Sequence, residues 1–188
     1  TSEEKEWTLV FDNKSPEVSI TLEDDNKEKH TVDGIQYSNA SDEDELKITI
    51  TDQYLGHKDS EGKSGEYSAV LYDAENTEID RKDLDLENIT GGTADIVFTH
   101  DELKKYEDGK ITVKVTAKDY AGSVNENTEQ NQFSFVLDTT APVMTESETD
   151  PEHDREDNTT NSLYYKDNFT TKITIVETNM SENSLNGG

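Results

Sequence analysis

Carboxylates are the chemical groups that this sequence offers in greatest number. The chain carries 44 Asp and Glu against 17 Lys and Arg, so its formal net charge is −27 over 188 residues. Calcium takes roughly six to eight oxygen ligands, commonly from carboxylates and backbone carbonyls. Acids that stand where predicted strands meet loops or junctions are therefore the first candidates for a cation site. Five acids meet this condition: Asp12, Asp52, Asp119, Asp138 and Glu177.

The charge balance also decides which partners suit the chain. Phosphate binding depends on clustered Lys and Arg, so nucleic acid is excluded as a partner. An anionic membrane surface is disfavoured for the same reason, and no apolar run approaches the ~20 residues that direct insertion by a helix needs. Cations and basic protein surfaces are favoured instead. The absence of cysteine fits a bacterial surface protein or a cytosolic one.

The sequence repeats itself over a long period. Residues 7–16 (WTLVFDNKSP) return 126 positions later as residues 133–142 (FSFVLDTTAP), with the Val, Asp and Pro identical. Residues 47–50 (KITI) return as residues 172–175 at an offset of 125. This period is too long for a solenoid unit but suits an independently folding domain. We therefore expect the chain to be a piece of a tandem array.

The repeat suggests how the five acids group into calcium sites. Asp119 begins the loop before the closing strand and Asp138 ends that strand, so both are expected at one end of the domain, where the next repeat offers Glu177. Asp52 holds the corresponding position in the central repeat and is expected to pair with Asp12 at the preceding junction. The alternative is that these carboxylates only cap turns by accepting hydrogen bonds from backbone amides. No stretch matches the EF-hand loop.

Short strands joined by polar loops make up most of the pattern. Apolar residues alternate with polar ones in most of these strands, whereas the Tyr67–Tyr72 strand is apolar enough to be buried on both faces. Repeated short strands of this kind predict an all-β fold, a β-sandwich. The predicted strands are Val18–Leu22, Leu46–Thr51, Tyr67–Tyr72, Ala94–Phe98, Ile111–Ala117 and Phe133–Leu137, with two more near Leu163–Tyr165 and over Thr171–Val176.

One short helical turn interrupts the strands before the penultimate one. Thr99 and Glu102 have the capping-box spacing, so each side chain can satisfy the other's backbone donor. The turn is expected to end near Tyr106 and to join the two sheets, with the Tyr106 hydroxyl either anchoring that corner or simply packing against it. The acidic stretch from Thr145 to Asn161 is expected to be a loop or poorly ordered.

Catalysis finds little support in the sequence. There is no Cys nucleophile, and neither a Gly-x-Ser-x-Gly elbow nor a Gly-rich phosphate loop occurs. The abundance of acids makes any pair of carboxylates uninformative. The histidines are scattered without metal-ligand spacing; they are His30, His57, His100 and His153. We therefore expect a non-enzymatic protein.

Tyrosines offer a second kind of function, the binding of a glycan or a host protein through exposed rings. Tyr120 lies in the loop before the closing strand and is the best candidate for an exposed ring. Trp7 and Phe133 occupy equivalent positions in the repeat, which favours a packing role for both. The other tyrosines considered for a stacking platform are Tyr54, Tyr67, Tyr72, Tyr164 and Tyr165.

The closing part of the repeat resembles a known family. Residues 107–122 (EDGKITVKVTAKDYAG) and 133–142 (FSFVLDTTAP) resemble the last hairpin and linker of bacterial Ig-like domains, which occur in tandem on surface proteins of Gram-positive bacteria and in many adhesins. Asp119, Ala121 and Gly122 match the family's loop, whereas Ser123 replaces the usual Asn. The resemblance implies an Ig-like β-sandwich that serves as a stalk or display module, and it is loose outside residues 107–142.

These observations give one expected organisation and two candidate functions. Residues 1–15 are the last strand and linker of a preceding repeat (or the N-terminal strand of the central domain), 16–141 form a complete Ig-like domain, and 142–188 begin a further, truncated repeat. The resemblance implies an extracellular spacer on a bacterial cell surface or cell wall, in contact with neighbouring repeats. Calcium at the inter-repeat junctions would make it rigid. The alternative is a ligand-binding sandwich that recognises a glycan or host protein.

Overall fold

The computed structural model describes residues 11–23, 31–32, 34–40, 44–58, 61–87, 89, 91–125, 129–150, 155–157, 162–164 and 170–177. Over these residues the protein is all-β with one short helix, as the strand pattern predicts. The chain divides into two compact units, Thr1–Thr139 and Thr140–Gly188. Trp7 and the predicted N-terminal strand lie outside the described residues.

Most strands are short, and one four-residue helix lies among them. In chain order the described elements are β1 (Glu17–Glu23), β2 (Thr31–Val32), β3 (Ile35–Ser38), β4 (Glu45–Thr51), β5 (Glu66–Tyr72), β6 (Glu78–Asp83), β7 (Thr93–Thr99), α1 (His100–Leu103), β8 (Gly109–Lys118), β9 (Gln132–Leu137), β10 (Val143–Asp150), β11 (Arg155–Asp157), β12 (Ser162–Tyr164) and β13 (Thr170–Val176).

The first unit is a two-sheet sandwich. One sheet has the order β1-β4-β7, and all its pairings are antiparallel. The other has the order β2-β3-β9-β8-β5-β6, with a parallel pairing between β3 and β9. The two sheets share one hydrophobic core. The sandwich that the sequence predicts is therefore present in residues 17–137.

Alternation along the strands builds this core from few apolar residues. In β4, Leu46, Ile48 and Ile50 are fully buried while the residues between them are only half-buried. In β8, the inward residues from Ile111 to Ala117 face them from the other sheet. β5 lies between β8 and β6 in the larger sheet, and its second face is buried at Val70 and half-buried at Ser68 and Tyr72.

The helical turn joins the two sheets where the sequence predicts it. α1 follows β7 of the smaller sheet and precedes β8 of the larger one. The Thr99 backbone N–H donates to Glu102 Oε2 at 2.8 Å, which closes the capping box. The Tyr106 hydroxyl donates to Asp80 Oδ2, so this ring anchors the corner to β6. This bond lies near the start of β8, whereas Asp119 follows the end of β8.

Several strands have no clear signal in the sequence. β6 (EIDRKD) is an edge strand of the larger sheet, and edge strands tolerate charge because one side of their backbone faces solvent. β2 and β3 form a two-residue pairing around Gly34, whose φ of +81° places it in the left-handed region that favours glycine.

The second unit contains a hairpin-like sheet that corrects one prediction. β10 and β13 pair antiparallel from Val143–Val176 to Asp150–Thr170, and β11 pairs with β12. The stretch from Thr145 to Asn161 is therefore not simply a loop, because β10 and β11 fall within it. Its acidic, Thr-rich composition conceals the strand, since what holds β10 is backbone pairing with the more apolar β13. The predicted strands near Leu163 and over Thr171–Val176 are confirmed.

We predict that Ile48→Ala lowers the free energy of unfolding by about 2–5 kcal/mol, because it leaves a cavity in a closed core. The matched control is Ile173→Ala, at the equivalent position of β13. Ile173 is 55% exposed whereas Ile48 is 0% exposed, so the control should change stability by less than about 0.5 kcal/mol. Urea unfolding measures both variants, and equal losses would contradict the assignment of the core.

Candidate metal centre

Three of the five predicted acids meet at one end of the first unit. One carboxylate oxygen from each of Asp12, Asp52 and Asp119 lies within 4.8 Å of the others. Asp52 is 6% and Asp119 is 3% exposed, while Asp12 is half-buried. This group, which we call the aspartate cluster, is unusual because buried carboxylates normally have a basic partner or a metal.

Each acid reaches the cluster from a different part of the fold. Asp52 directly follows β4 in the smaller sheet, and Asp119 directly follows β8 in the larger sheet. Asp12 belongs to the segment that leads into β1, the entry segment Phe11–Pro16. The cluster thus joins both sheets of the sandwich and the chain that enters it.

A close backbone approach holds Asp52 in place. The Asp52 N–H donates to Gly92 O at 2.8 Å. Gly92 has φ +77°, and a Cβ at this position would lie 2.5 Å from Asp52 O. Gly92 is therefore required on two grounds, its left-handed backbone and the lack of room for a side chain. The turn at Gly91 and Gly92 thus positions a candidate ligand.

Turn capping accounts for one oxygen of each acid. Asp52 Oδ1 accepts from the Tyr54 N–H at 2.7 Å, and Asp119 Oδ1 accepts from the Ser123 N–H at 2.8 Å. Asp12 Oδ1 accepts a longer bond of 3.3 Å from the Lys14 N–H. The capping role that the sequence left open is therefore present at all three sites, and it orients each carboxylate without neutralising it.

The second oxygen of Asp119 has no such explanation. Asp119 Oδ2 is buried and makes no hydrogen bond, although an unsatisfied buried carboxylate oxygen is costly. It belongs to the least exposed acid of a cluster that gathers three negative charges. An orphaned buried oxygen beside two further carboxylates is the arrangement that a bound cation would satisfy.

The electrostatics of the cluster show mutual repulsion. Burial raises the pKa of the Asp52 carboxyl, and the charges of Asp12 and Asp119 raise it further, against the opposing effects of the Tyr54 amide and His57. Burial, together with the same three carboxylates, raises the pKa of Tyr67 to about 12. Nothing in the sequence connects Tyr67 with these acids, because the contact depends on which strand ends share one end of the sandwich.

The other two predicted ligands are not part of this cluster. In the antiparallel β8–β9 pair, Leu137 lies opposite Gly109 at the start of β8, whereas Asp119 follows the end of β8. At about 3.3 Å per residue, Asp138 is roughly 30 Å from Asp119. The structure therefore does not bring these two acids together, contrary to the sequence-based expectation. Glu177 follows β13 in the second unit, and its role as a ligand stays a prediction.

The chemistry of the cluster suits a hard divalent cation. Three carboxylates supply only oxygen ligands, and up to three negative charges, which match calcium better than zinc or copper. Asp12, Asp52 and Tyr54 also line one surface cleft, through which an ion and its remaining water ligands can reach the site. These three aspartates would hold the ion.

The tyrosines considered for a stacking platform differ in exposure, and Tyr165 lies outside the described residues. Tyr120 is exposed after β8, as predicted, but Tyr67 is buried. Lys114 Nζ lies 4.4 Å from the centre of the Tyr72 ring, and Tyr54 contacts His57 edge-to-face.

Among the described residues no helix is long and apolar enough to cross a membrane.

Comparison with known proteins gives little further information. No family model matches the chain, and no curated protein matches it. It is similar to a solved structure described as a tetra-tandem repeat in the extending region of a large adhesion protein, at 18% identity and a TM-score of 0.38 over 87% of this chain. The chain spans 39% of the length of that structure. Similarity at this level carries no argument about fold or function.

We predict that Asp52→Asn makes the protein more stable than the wild type at pH 7 in EDTA. A carboxyl whose pKa is raised by folding stabilises the native state at low pH and loses that contribution as the pH rises through its folded-state pKa. Asn removes the repelled charge and still accepts the Tyr54 N–H. The gain should shrink as the pH falls toward 3.8, the ordinary aspartate pKa. Urea unfolding at several pH values measures it, and a variant that is less stable at every pH would mean that the carboxylate is paired.

Proposed function

We propose that this chain is a non-catalytic, extracellular spacer made of tandem Ig-like repeats, which belongs to a bacterial surface protein or adhesin and is stiffened by calcium. The β-sandwich of the first unit and the resemblance of residues 107–142 to the closing hairpin of bacterial Ig-like domains support the class. The net charge of −27 supports a solvated, cation-binding surface.

One observation carries the proposal, namely that the sequence repeat is also a structural repeat. Residues 47–50 lie in β4 and residues 172–175 lie in β13. β4 pairs antiparallel with β1, which follows Pro16, and β13 pairs antiparallel with β10, which follows Pro142. Two copies of one supersecondary unit, each preceded by a junction proline, are what a tandem array predicts.

The aspartate cluster gives the array a means of becoming stiff. Asp12 belongs to the entry segment, which is also held at Pro16, a buried residue whose carbonyl accepts from Asn125 Nδ2 at 2.9 Å. An ion bound to all three aspartates would tie the entry segment to the ends of β4 and β8. That bond would restrict the angle at which a preceding repeat enters the domain, which suits a rod better than a flexible tether.

We predict that calcium raises the midpoint of thermal unfolding by several degrees relative to EDTA, with a smaller effect of magnesium. A ligand that binds only the folded state stabilises it by about 2.7 kcal/mol at a concentration a hundredfold above its Kd. Asp119→Asn should abolish the calcium-specific rise. Asp83→Asn, which removes an exposed acid of β6, is the charge control and should keep it. Equal rises in Asp119→Asn and the wild type would contradict the site.

We also predict that calcium slows cleavage by trypsin after Lys14 about tenfold, because local opening of the entry segment must then break the bond between Asp12 and the ion. Asp12→Asn should remove the protection, so that its cleavage rates in calcium and in EDTA become equal. Cleavage at Lys105, which is exposed between α1 and β8, is the internal control for trypsin activity. Protection of Lys14 that persists in Asp12→Asn would mean that calcium does not clamp this segment.

A further inference from the structure

The β10–β13 sheet of the second unit exposes a face that the first unit buries. Val18 and Ile50 are paired in β1–β4, and Met144 and Ile175 are paired at the equivalent positions in β10–β13. Val18 is 6% and Ile50 is 0% exposed, but Met144 is 68% and Ile175 is 50% exposed. Large apolar side chains that share one face of a sheet and stay in contact with water mark an interaction surface.

The two sheets also differ at one edge. β4 lies between β1 and β7 in its sheet, whereas β13 pairs with β10 and with no other described strand. The position that β7 fills beside β4 is therefore open beside β13, within the part of the chain that the structure describes. An open strand edge offers backbone donors and acceptors to a further strand.

β13 keeps the side chains that bind β7 in the first unit. In β4, Ile48 lies opposite Ile96 and Ile50 opposite Ala94. On the outer face, Lys47 forms an ion pair with Asp95 at 3.3 Å and Thr49 Oγ1 donates to the same carboxylate at 2.7 Å. β13 carries the same four residue types in the same order, Lys172, Ile173, Thr174 and Ile175. Both its apolar face and its polar face therefore match a strand with an apolar-Asp-apolar pattern.

We propose that the open edge of β13 is an acceptor site for a strand of the β7 type. The strand pairs antiparallel, with its Ile opposite Ile173, its Asp opposite Thr174, and its small apolar residue opposite Ile175. The partner strand is thus identified by its sequence, Ala-Asp-Ile as in β7, and by the β13 side chains that each of these three residues contacts. The inference rests on the tandem arrangement in the proposed function but not on calcium.

Disulfide trapping tests the register directly, because the chain has no cysteine. The probe is a synthetic peptide of residues 91–100 with Ala94→Cys, added to the full chain carrying Ile175→Cys in a glutathione redox buffer, whose oxidised form is reduced as the two thiols join. The matched control peptide carries Val97→Cys instead, which the proposed register places opposite Lys172 and on the other face. The first peptide should give about tenfold more mixed disulfide than the control, because pairing raises the effective concentration of its thiol.

Two further variants locate the site, each made in the Ile175→Cys chain. Ile173→Asp should reduce trapping to the level of the control peptide, whereas Val176→Asp, on the opposite face of β13, should leave it unchanged. Yields should be equal in EDTA and in calcium, so a failure of the metal site leaves this result intact. Equal trapping of both peptides would overturn the proposal. Disulfide-linked dimers of the chain that the peptide does not suppress would also overturn it, because a second copy would then occupy the edge.

Discussion

Three carboxylates held within 4.8 Å of one another set the electrostatic condition under which the first unit is stable. Two of them are buried, so water screens their repulsion poorly. The backbone amides at each site satisfy one oxygen but carry no net charge. The ends of β4 and β8 and the entry segment converge at this point, and a divalent cation would turn their mutual repulsion into a bond that joins all three.

The rest of the sandwich is built from few apolar residues. Only 29% of the residues are hydrophobic, and in the first unit the buried core is formed mainly by the inward faces of β1, β4, β5, β7, β8 and β9. The charged residues are then left to edge strands and loops, where β6 shows how a strand of mostly ionic side chains is tolerated. A small core gains much stability from a constraint at its end, and the aspartate cluster therefore matters for the stability of the whole unit.

The sequence predicts those strands whose apolar residues alternate, because burial of one face of a strand places an apolar residue at every second position. β6 and β10 have no such pattern, since their residues do not alternate between apolar and polar; β6 pairs with β5 and β10 pairs with β13. The aspartates of the site were also predicted individually, but their grouping was only partly right. The predicted β8–β9 hairpin already places Asp119 and Asp138 at opposite ends. The meeting of Asp12, Asp52 and Asp119 depends on how two sheets are stacked, which no local pattern records.

The most direct test of this account is a crystal structure of the chain grown in calcium, with the ion identified by its anomalous scattering. The account predicts one ion about 2.3–2.6 Å from oxygens of Asp12, Asp52 and Asp119, with Asp119 Oδ2 among its ligands. A structure at saturating calcium with no ion between these three carboxylates, or with a lysine amine in its place, would contradict it.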